Sequence, residues 1–234
     1  MFYNCSSLNE IRIDYTGNFS TTYFNNWVYG VAASGTFYYQ GSDTTTGVSA
    51  IPSGWTVPTI VYKNYINTNR AEMNINHVPT TSTRITGRFR GDAVGNYFIG
   101  TGNSWRFFNA GDNNFYFDVS GGRISQGTWD KTKWYDVDIG NYYFTCVPVD
   151  GGTTLSQTST ARSFTYTDKL KLGSSTYSWG GVWEEFDCAG FKIYEGNTLV
   201  KDFRPVLDPN SVACFYEELS GTYYYPSTGT FLAY

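Results

Sequence analysis

The run Phe191-Lys192-Ile193-Tyr194, then Glu195-Gly196-Asn197, then Thr198-Leu199-Val200-Lys201-Asp202-Phe203-Arg204-Pro205-Val206 decides the fold class. Alternation sets Phe191 and Ile193 on one side and Lys192 and Tyr194 on the other, as a half-buried strand requires. Glu195-Gly196-Asn197 has turn chemistry, so the stretch predicts strand, tight turn, strand. Asp208-Pro209-Asn210, an apolar run at Val212-Ala213-Cys214-Phe215-Tyr216 and a last hairpin at Gly221-Thr222-Tyr223-Tyr224-Tyr225 closed by Gly229 follow it. A hairpin with one apolar face is not stable alone, so the preceding residues must supply an opposing sheet.

Working back from there, short strand-like runs recur at intervals of roughly 8–12 residues, separated by Gly, Asn or Asp turns. They are Thr83–Arg90, Tyr97–Gly100, Trp105–Asn109, Phe115–Val119, Lys133–Ile139, Tyr142–Cys146, Ser163–Tyr166 and Lys169–Gly173. No helix of ten residues is expected after residue 60. Charged residues are only 15% of the 234, against a usual value of about 25%. Aromatics reach 19%, with 21 Tyr, 17 Phe and 7 Trp, enough ring surface to offset chain entropy and exclude disorder. About twelve strands of this kind predict a mainly β domain of two packed antiparallel sheets over residues 61–234.

Residues 1–60 read differently. Ile11-Arg12-Ile13 and Phe37-Tyr38-Tyr39 are short strands, and Ile51-Pro52-Ser53-Gly54-Trp55-Thr56-Val57 closes the segment. Asn18-Phe19-Ser20-Thr21 offers a helix N-cap, and Thr22 to Tyr29 places Tyr23 and Trp27 at helical spacing before Gly30 stops it. Pro58 to Tyr62 reads as a linker.

Two resemblances sharpen this reading. Met1-Phe2-x-Asn4-Cys5-Ser6-Ser7-Leu8, Asn26-Trp27-Val28-x-Gly30-Val31-Ala32-x-x-Gly35-Thr36-Phe37 and Ile51-Pro52-Ser53-Gly54-Trp55 resemble the last repeat and C-terminal cap of BspA-type leucine-rich repeats. Only one repeat is present, whereas repeats bury a core by stacking on neighbours. Further on, Tyr65-Ile66-Asn67-Thr68, Arg84-Ile85-x-Gly87-x-Phe89, Phe191 to Val206 and Asp208-Pro209-Asn210 through Phe231 resemble a concanavalin-A-like (laminin-G-like) jelly roll. The resemblance implies a jelly-roll β-sandwich behind a small α/β repeat cap, as at the ends of gut phage fibres and on Bacteroidales surface proteins. It further implies a lectin-like adhesin or virion protein for host attachment. Its partners would be a cell-surface glycan or protein receptor and other fibre subunits, often in a homotrimer. A purely structural virion or repeat-protein subunit is the alternative.

The net charge of −4 argues against a general nucleic-acid binder. No run of about 18 apolar residues exists, so no membrane span is expected. Met1-Phe2-Tyr3-Asn4-Cys5 lacks the features of a signal peptide, which predicts either a fragment or a chain used without Sec-type export; the virion or the bacterial surface is the expected location. Cys5, Cys146, Cys188 and Cys214 form no C-x-x-C pair and read as small buried hydrophobes, with a bridge among the last three left open.

Chemistry-bearing patterns are few. His77 is the one histidine and no G-x-S-x-G exists to pair with it, so a serine triad is not expected. The jelly-roll resemblance also implies a glycoside hydrolase as an alternative to the non-enzymatic reading, with acids presented from one strand face. Here Glu185 and Asp187 have that spacing, yet Ala189 and Gly190 stand where a third acid belongs; Asp136 and Asp138 form a second same-face pair. Residues two apart on a strand lie about 6.5–7 Å apart, compatible with hydrolase carboxyl separations. Asn109-Ala110-Gly111-Asp112-Asn113-Asn114 clusters oxygen ligands, making Asp112 and Asn113 the candidates for calcium. The loop lacks the charge of a tight site, and no cofactor is expected. Sugar binding on aromatic platforms suits the composition better, because flat rings stack on apolar sugar faces at low entropy cost. Asn103, Trp105, Asn113, Tyr177, Trp179 and Trp183 are the glycan-binding candidates, with Tyr177 to Trp183 the strongest group because its glycines mark a loop.

Overall fold

A computed structural model describes residues 2–13, 17–39, 43–57, 60–91, 97–101, 105–109, 114–173 and 185–234. The chain divides into two compact units, Met1–Val61 and Tyr62–Tyr234.

The first unit holds β1 (Glu10–Ile13), α1 (Thr21–Phe24) and β2 (Thr36–Tyr39). β1 and β2 pair in parallel with Glu10 opposite Thr36, and Thr36 in turn bridges to Thr56, so three passes of chain lie side by side. Ile11, Trp27, Val28, Phe37, Ile51 and Trp55 fill the core between them. Both indoles find acceptors, Trp27 Nε1 donating to Ala50 O at 3.0 Å and Trp55 Nε1 to Ala32 O at 2.7 Å. The expected helix over Thr22 to Tyr29 is cut short at Phe24. Asn26 takes the left-handed conformation (φ 50°), as Asn tolerates, and the chain turns through to Gly30. Tyr23 is consequently exposed while Trp27 is buried.

The remaining strands are β3 (Val61–Tyr62), β4 (Ile66–Asn67), β5 (Met73–Asn74), β6 (Thr83–Gly91), β7 (Ile99–Gly100), β8 (Trp105–Asn109) and β9 (Asn114–Val119), then β10 (Gly122–Thr128), β11 (Tyr135–Gly140), β12 (Tyr143–Pro148) and β13 (Leu155–Thr158). β14 (Lys171–Leu172), β15 (Phe186–Glu195), β16 (Thr198–Leu207), β17 (Ala213–Glu217), β18 (Thr222–Tyr224) and β19 (Leu232–Ala233) complete the order. One antiparallel sheet runs β10-β9-β8-β7-β14-β5. The larger runs β13-β12-β11-β6-β15-β16-β17-β18, with β4 joined to β15 and β19 to β4. No helix lies in this unit among the described residues.

The two sheets share one hydrophobic core. Phe89 of β6 meets Phe98 and Phe107 from the smaller sheet at 5.8 and 6.2 Å between ring centroids, and Phe115 of β9 meets Phe144 of β12 at 4.9 Å. Trp129 lies between Tyr135 (4.0 Å) and Phe115 (5.3 Å), its indole N–H donating to Gly91 O. Each such buried ring contributes roughly 1.5–3 kcal/mol over exposure, which is how a chain this poor in Leu closes a core.

The β15–β16 hairpin forms as its sequence predicts, but β15 begins at Phe186 and carries a fault. Cys188 lies opposite Phe89 of β6, and the next ladder pair is Phe191 opposite Gly87. Two residues, Ala189 and Gly190, therefore face Arg88 alone, a β-bulge in the middle of the sheet. The extra residue resets the alternation, so that Phe186 and Cys188 before it and Phe191 and Ile193 after it are all buried.

All four cysteines are free thiols. Cys146, Cys188 and Cys214 are buried as expected, whereas Cys5 is exposed, because residues 3–7 run as turns over the surface of the first unit.

Candidate functional site

The outward face of the large sheet is a ladder of opposite charges. Strand alternation points Arg84, Thr86, Arg88 and Arg90 of β6 away from the core, since Ile85 and Phe89 point into it. Arg88 holds Asp136 through two hydrogen bonds (2.7 and 3.0 Å), and Arg84 holds Asp138 through two more (2.8 and 2.7 Å). Asp187 accepts both donors of Arg90 (2.8 and 2.6 Å) and the amide of Asn67 (2.8 Å). Hydrogen bonding to these carboxylates raises the pKa of Arg84 and Arg88. Tyr143 donates to Asp138 at 3.0 Å; burial and the nearby carboxylate push its pKa up to about 12.

Both acid pairs read from the sequence are thus brought to the surface of one sheet, but as partners of arginines. Glu185 lies 3.8 Å from Arg70, and Asp187 is spent on Arg90 and Asn67. The fork-to-fork pairing at Asp136 and Asp138 fixes orientation and engages both carboxylate oxygens.

Between these ladder rungs the bulge opens a depression of about 480 Å³. In the cross-strand row Asp136, Arg88, bulge, Arg204, no long side chain rises from the centre, because Ala189 and Gly190 occupy it. Gly190 is required there: its φ is 116°, and a Cβ would lie 2.8 Å from Phe203 O and 3.9 Å from Arg204 Cδ. The adjacent row supplies Thr86, Lys192 and Asp202. Lys192 Nζ lies 3.0 Å from Asp202 Oδ2, and Arg204 Nε lies 3.2 Å from Oδ1. That second contact is not aligned as a hydrogen bond, leaving Oδ1, on a residue only 8% exposed, without a hydrogen-bond partner. Arg204, about half exposed, makes no aligned hydrogen bond among the described residues. Oδ1 is itself shielded from solvent, so what the depression offers is the Arg204 guanidinium, held by an ion pair without an aligned hydrogen bond.

An aromatic cluster lies one outward step along β6. The Arg90 guanidinium sits 4.7 Å from the ring centre of Trp134 and 5.3 Å from that of Tyr65, and Tyr234 stacks on Tyr65 at 5.1 Å with planes 17° apart. Backbone bonds between Tyr65 and Tyr234 in both directions hold the two rings together. Tyr234 is half exposed. Asn64, next to Tyr65, lines the depression itself.

The glycan-binding residues expected from sequence fall elsewhere. Asn103, Asn113, Tyr177, Trp179 and Trp183, and the calcium candidates Asp112 and Asn113, lie outside the described residues. Trp105 is fully buried: β8 alternation turns it inward, edge-on to Phe117 at 4.9 Å, so it presents no ring face to solvent. Among the described residues no group of three or more His, Cys, Asp or Glu is arranged to hold a metal. The residues that sequence reading missed as site residues, Tyr65, Trp134, Tyr234 and Arg204, lie far apart in the chain; the pairing of β15 with its neighbours brings them to one face.

His77 is part of a different arrangement. Its Nε2 lies 2.9 Å from Glu195 Oε1, and Glu195 also accepts hydrogen bonds from the hydroxyls of Thr80, Ser82 and Thr83 at 2.5, 3.0 and 2.5 Å. Burial pushes the Glu195 carboxyl up, but these four bonds outweigh it and hold its pKa below the usual value. The hydroxyls point at the carboxylate rather than at the imidazole, so the cluster pins the loop before β6 to the β15–β16 turn and assembles no activated nucleophile.

Against models of known protein families the chain finds no match, and no curated protein matches it in sequence.

Proposed function

We propose that the chain is a non-enzymatic recognition module that binds carbohydrate on the outward face of its large sheet. The observation that carries this reading is the Tyr234–Tyr65 stack beside a depression that presents the half-exposed Arg204 guanidinium. Flat rings beside a few fixed donors and acceptors are the ingredients of a sugar site: the ring takes the apolar sugar face and the polar groups take hydroxyls.

Two antiparallel sheets around one aromatic core support a jelly-roll sandwich. The parallel pairing of Glu10 with Thr36 and of Thr36 with Thr56 supports a repeat cap for residues 1–60. With the sequence resemblances, these features favour a receptor-binding or virion-decorating part of a phage fibre, or a bacterial surface protein, over a free enzyme. The engagement of Asp136, Asp138 and Asp187 by arginines favours binding over hydrolysis, which needs one acid free to give a proton and another free to attack or activate water.

A glycan array probed with the intact chain tests the proposal. Hits that weaken about fivefold in Tyr234→Ala are expected, given roughly 1 kcal/mol for a stacked ring. An array without hits refutes it.

A further inference from the structure

The polar groups of the depression point to a narrower class of ligand. We propose that it takes a pyranose carrying one carboxylate, with that carboxylate on Arg204 and the ring over the Ala189–Gly190 floor; this rests on the carbohydrate-recognition reading above. Arg88 and Arg204 project from β6 and β16, on either side of β15, roughly 10 Å apart by two strand spacings. The missing side chain between them leaves room for one sugar ring.

The charges around that space are not equivalent. Arg88 is held in a two-bond fork by Asp136. Lys192 and Arg204 share the single carboxylate of Asp202, and Arg204 touches it without an aligned hydrogen bond. The three cations and two acids leave one net positive charge, centred on a guanidinium whose fork matches a carboxylate. A neutral sugar leaves that fork empty. A densely charged polyanion meets Asp136 and Asp202 in the same cavity and a chain of net charge −4 around it. A ring with one carboxylate and several hydroxyls suits the lining: the acid takes Arg204, while hydroxyls exchange bonds with Thr86 and Asn64.

The test titrates the intact chain by NMR with the methyl glycosides of glucuronic, galacturonic and N-acetylneuraminic acid, and with those of glucose and galactose as neutral counterparts. At least one acidic glycoside is expected to bind tenfold or more tighter than the neutral ones. Arg204→Ala, an exposed change that leaves the core untouched, should erase that preference, and Ala189→Leu should block binding by filling the floor. Thermal melts of both variants establish that they fold. Equal binding of acidic and neutral glycosides, unaffected by Arg204→Ala, overturns the carboxylate assignment while leaving carbohydrate recognition standing. Acid-selective binding that survives both variants places the ligand elsewhere and overturns the site. No binding by any glycoside, together with an array without hits, removes the functional reading and this inference at once.

Discussion

Replacing Gly190 by Ala tests whether the bulge is the feature that shapes the outward face. Gly190 has φ 116°, a conformation that L residues rarely adopt, and its added Cβ would stand 2.8 Å from the carbonyl oxygen of Phe203. Holding a non-glycine residue in such a region costs about 1–3 kcal/mol. The offending atom belongs to the backbone of β16 and cannot rotate away; relieving the contact strains the ladder beside the Phe191–Phe203 pair, worth about 1 kcal/mol for one hydrogen bond. The sum is a loss of about 2–4 kcal/mol. Gly196 is the control, lying in the turn of the same hairpin at φ 58° with nothing within 4 Å of an added Cβ. Ala there meets only the left-handed penalty of about 1–2 kcal/mol, partly offset by about 0.4–1 kcal/mol from the stiffer unfolded chain. Urea unfolding of the intact chain, followed by tryptophan fluorescence, reads both shifts, since Trp129 lies in the core between the sheets. Gly190→Ala should move the transition clearly further than Gly196→Ala. Equal shifts, or a Gly190→Ala shift within about 0.5 kcal/mol of the parent, refute the claim that this position is closed to a side chain.

Glu217 is wholly buried and accepts the backbone N–H groups of Asp202, Leu219 and Ser220 at 3.0, 3.1 and 3.0 Å, so Glu217→Gln should cost about 1.5–3 kcal/mol in the same unfolding assay. Burial pushes the carboxyls of Glu195 and Glu217 up, but their hydrogen bonds win and hold both folded pKa values below the unfolded value of 4.5. In that window the unfolded chain binds the more protons, so this stability is fully present above about 4.5 and is lost as pH falls through the folded values. Urea midpoints measured from pH 7 to 3 should therefore fall at the acid end, less steeply in Glu217→Gln; a midpoint that rises there contradicts the assignment. A thiol reagent should modify Cys5 at once and the other three cysteines only on unfolding, because burial pushes Cys188 and Cys214 up to about 12 and Cys146 well above its ordinary value. Trp105→Ala should cost about 3–5 kcal/mol through the cavity it leaves while leaving any carbohydrate affinity of the folded protein unchanged.

The strands that were legible in the sequence are those with an apolar stripe. Thr83–Arg90 became β6 and Trp105–Asn109 became β8 with nearly the same bounds, because large apolar residues on one side of the alternation (Ile85 and Phe89 in one, Trp105 and Phe107 in the other) mark a buried face. β10 and β13 went unread for the opposite reason. Gly122–Thr128 is a mostly exposed edge strand without a large buried side chain, and in Leu155–Thr158 only Leu155 is buried. Ser163–Tyr166 has the composition of a strand but joins no ladder: Phe164 and Tyr166 stack on each other at 4.4 Å against the core, and Tyr166 accepts the Ser120 N–H. Local pattern reports which residues want burial, and it is silent on which backbone groups find a neighbour. The same limit governs the site. Trp105 has the flat ring of a glycan platform, whereas its place on β8 turns it inward. Arg204 and Ala189 became interesting only once Phe191 was set opposite both Gly87 and Phe203.

The position of the bulge follows from what a charge ladder otherwise does to a sheet surface. Along β6 each long cation finds an acid on a regularly paired neighbour: Arg84 with Asp138 and Arg88 with Asp136 on β11, Arg90 with Asp187 on β15. Such a surface is satisfied within itself and has little left for a ligand. At Ala189–Gly190 the regular alternation breaks, the rung between Arg88 and Arg204 is missing, and Arg204 has only a carboxylate already shared with Lys192. β15 also changes partner here, from β16 at Phe191 to β4 at Cys188, which brings Asn64 and the Tyr65–Tyr234 stack to the same edge. One inserted residue thus both empties the centre of the face and leaves the Arg204 guanidinium without an aligned hydrogen bond among the described residues. That coincidence of space with unmet hydrogen bonding sets this point apart from the paired rungs on either side of it.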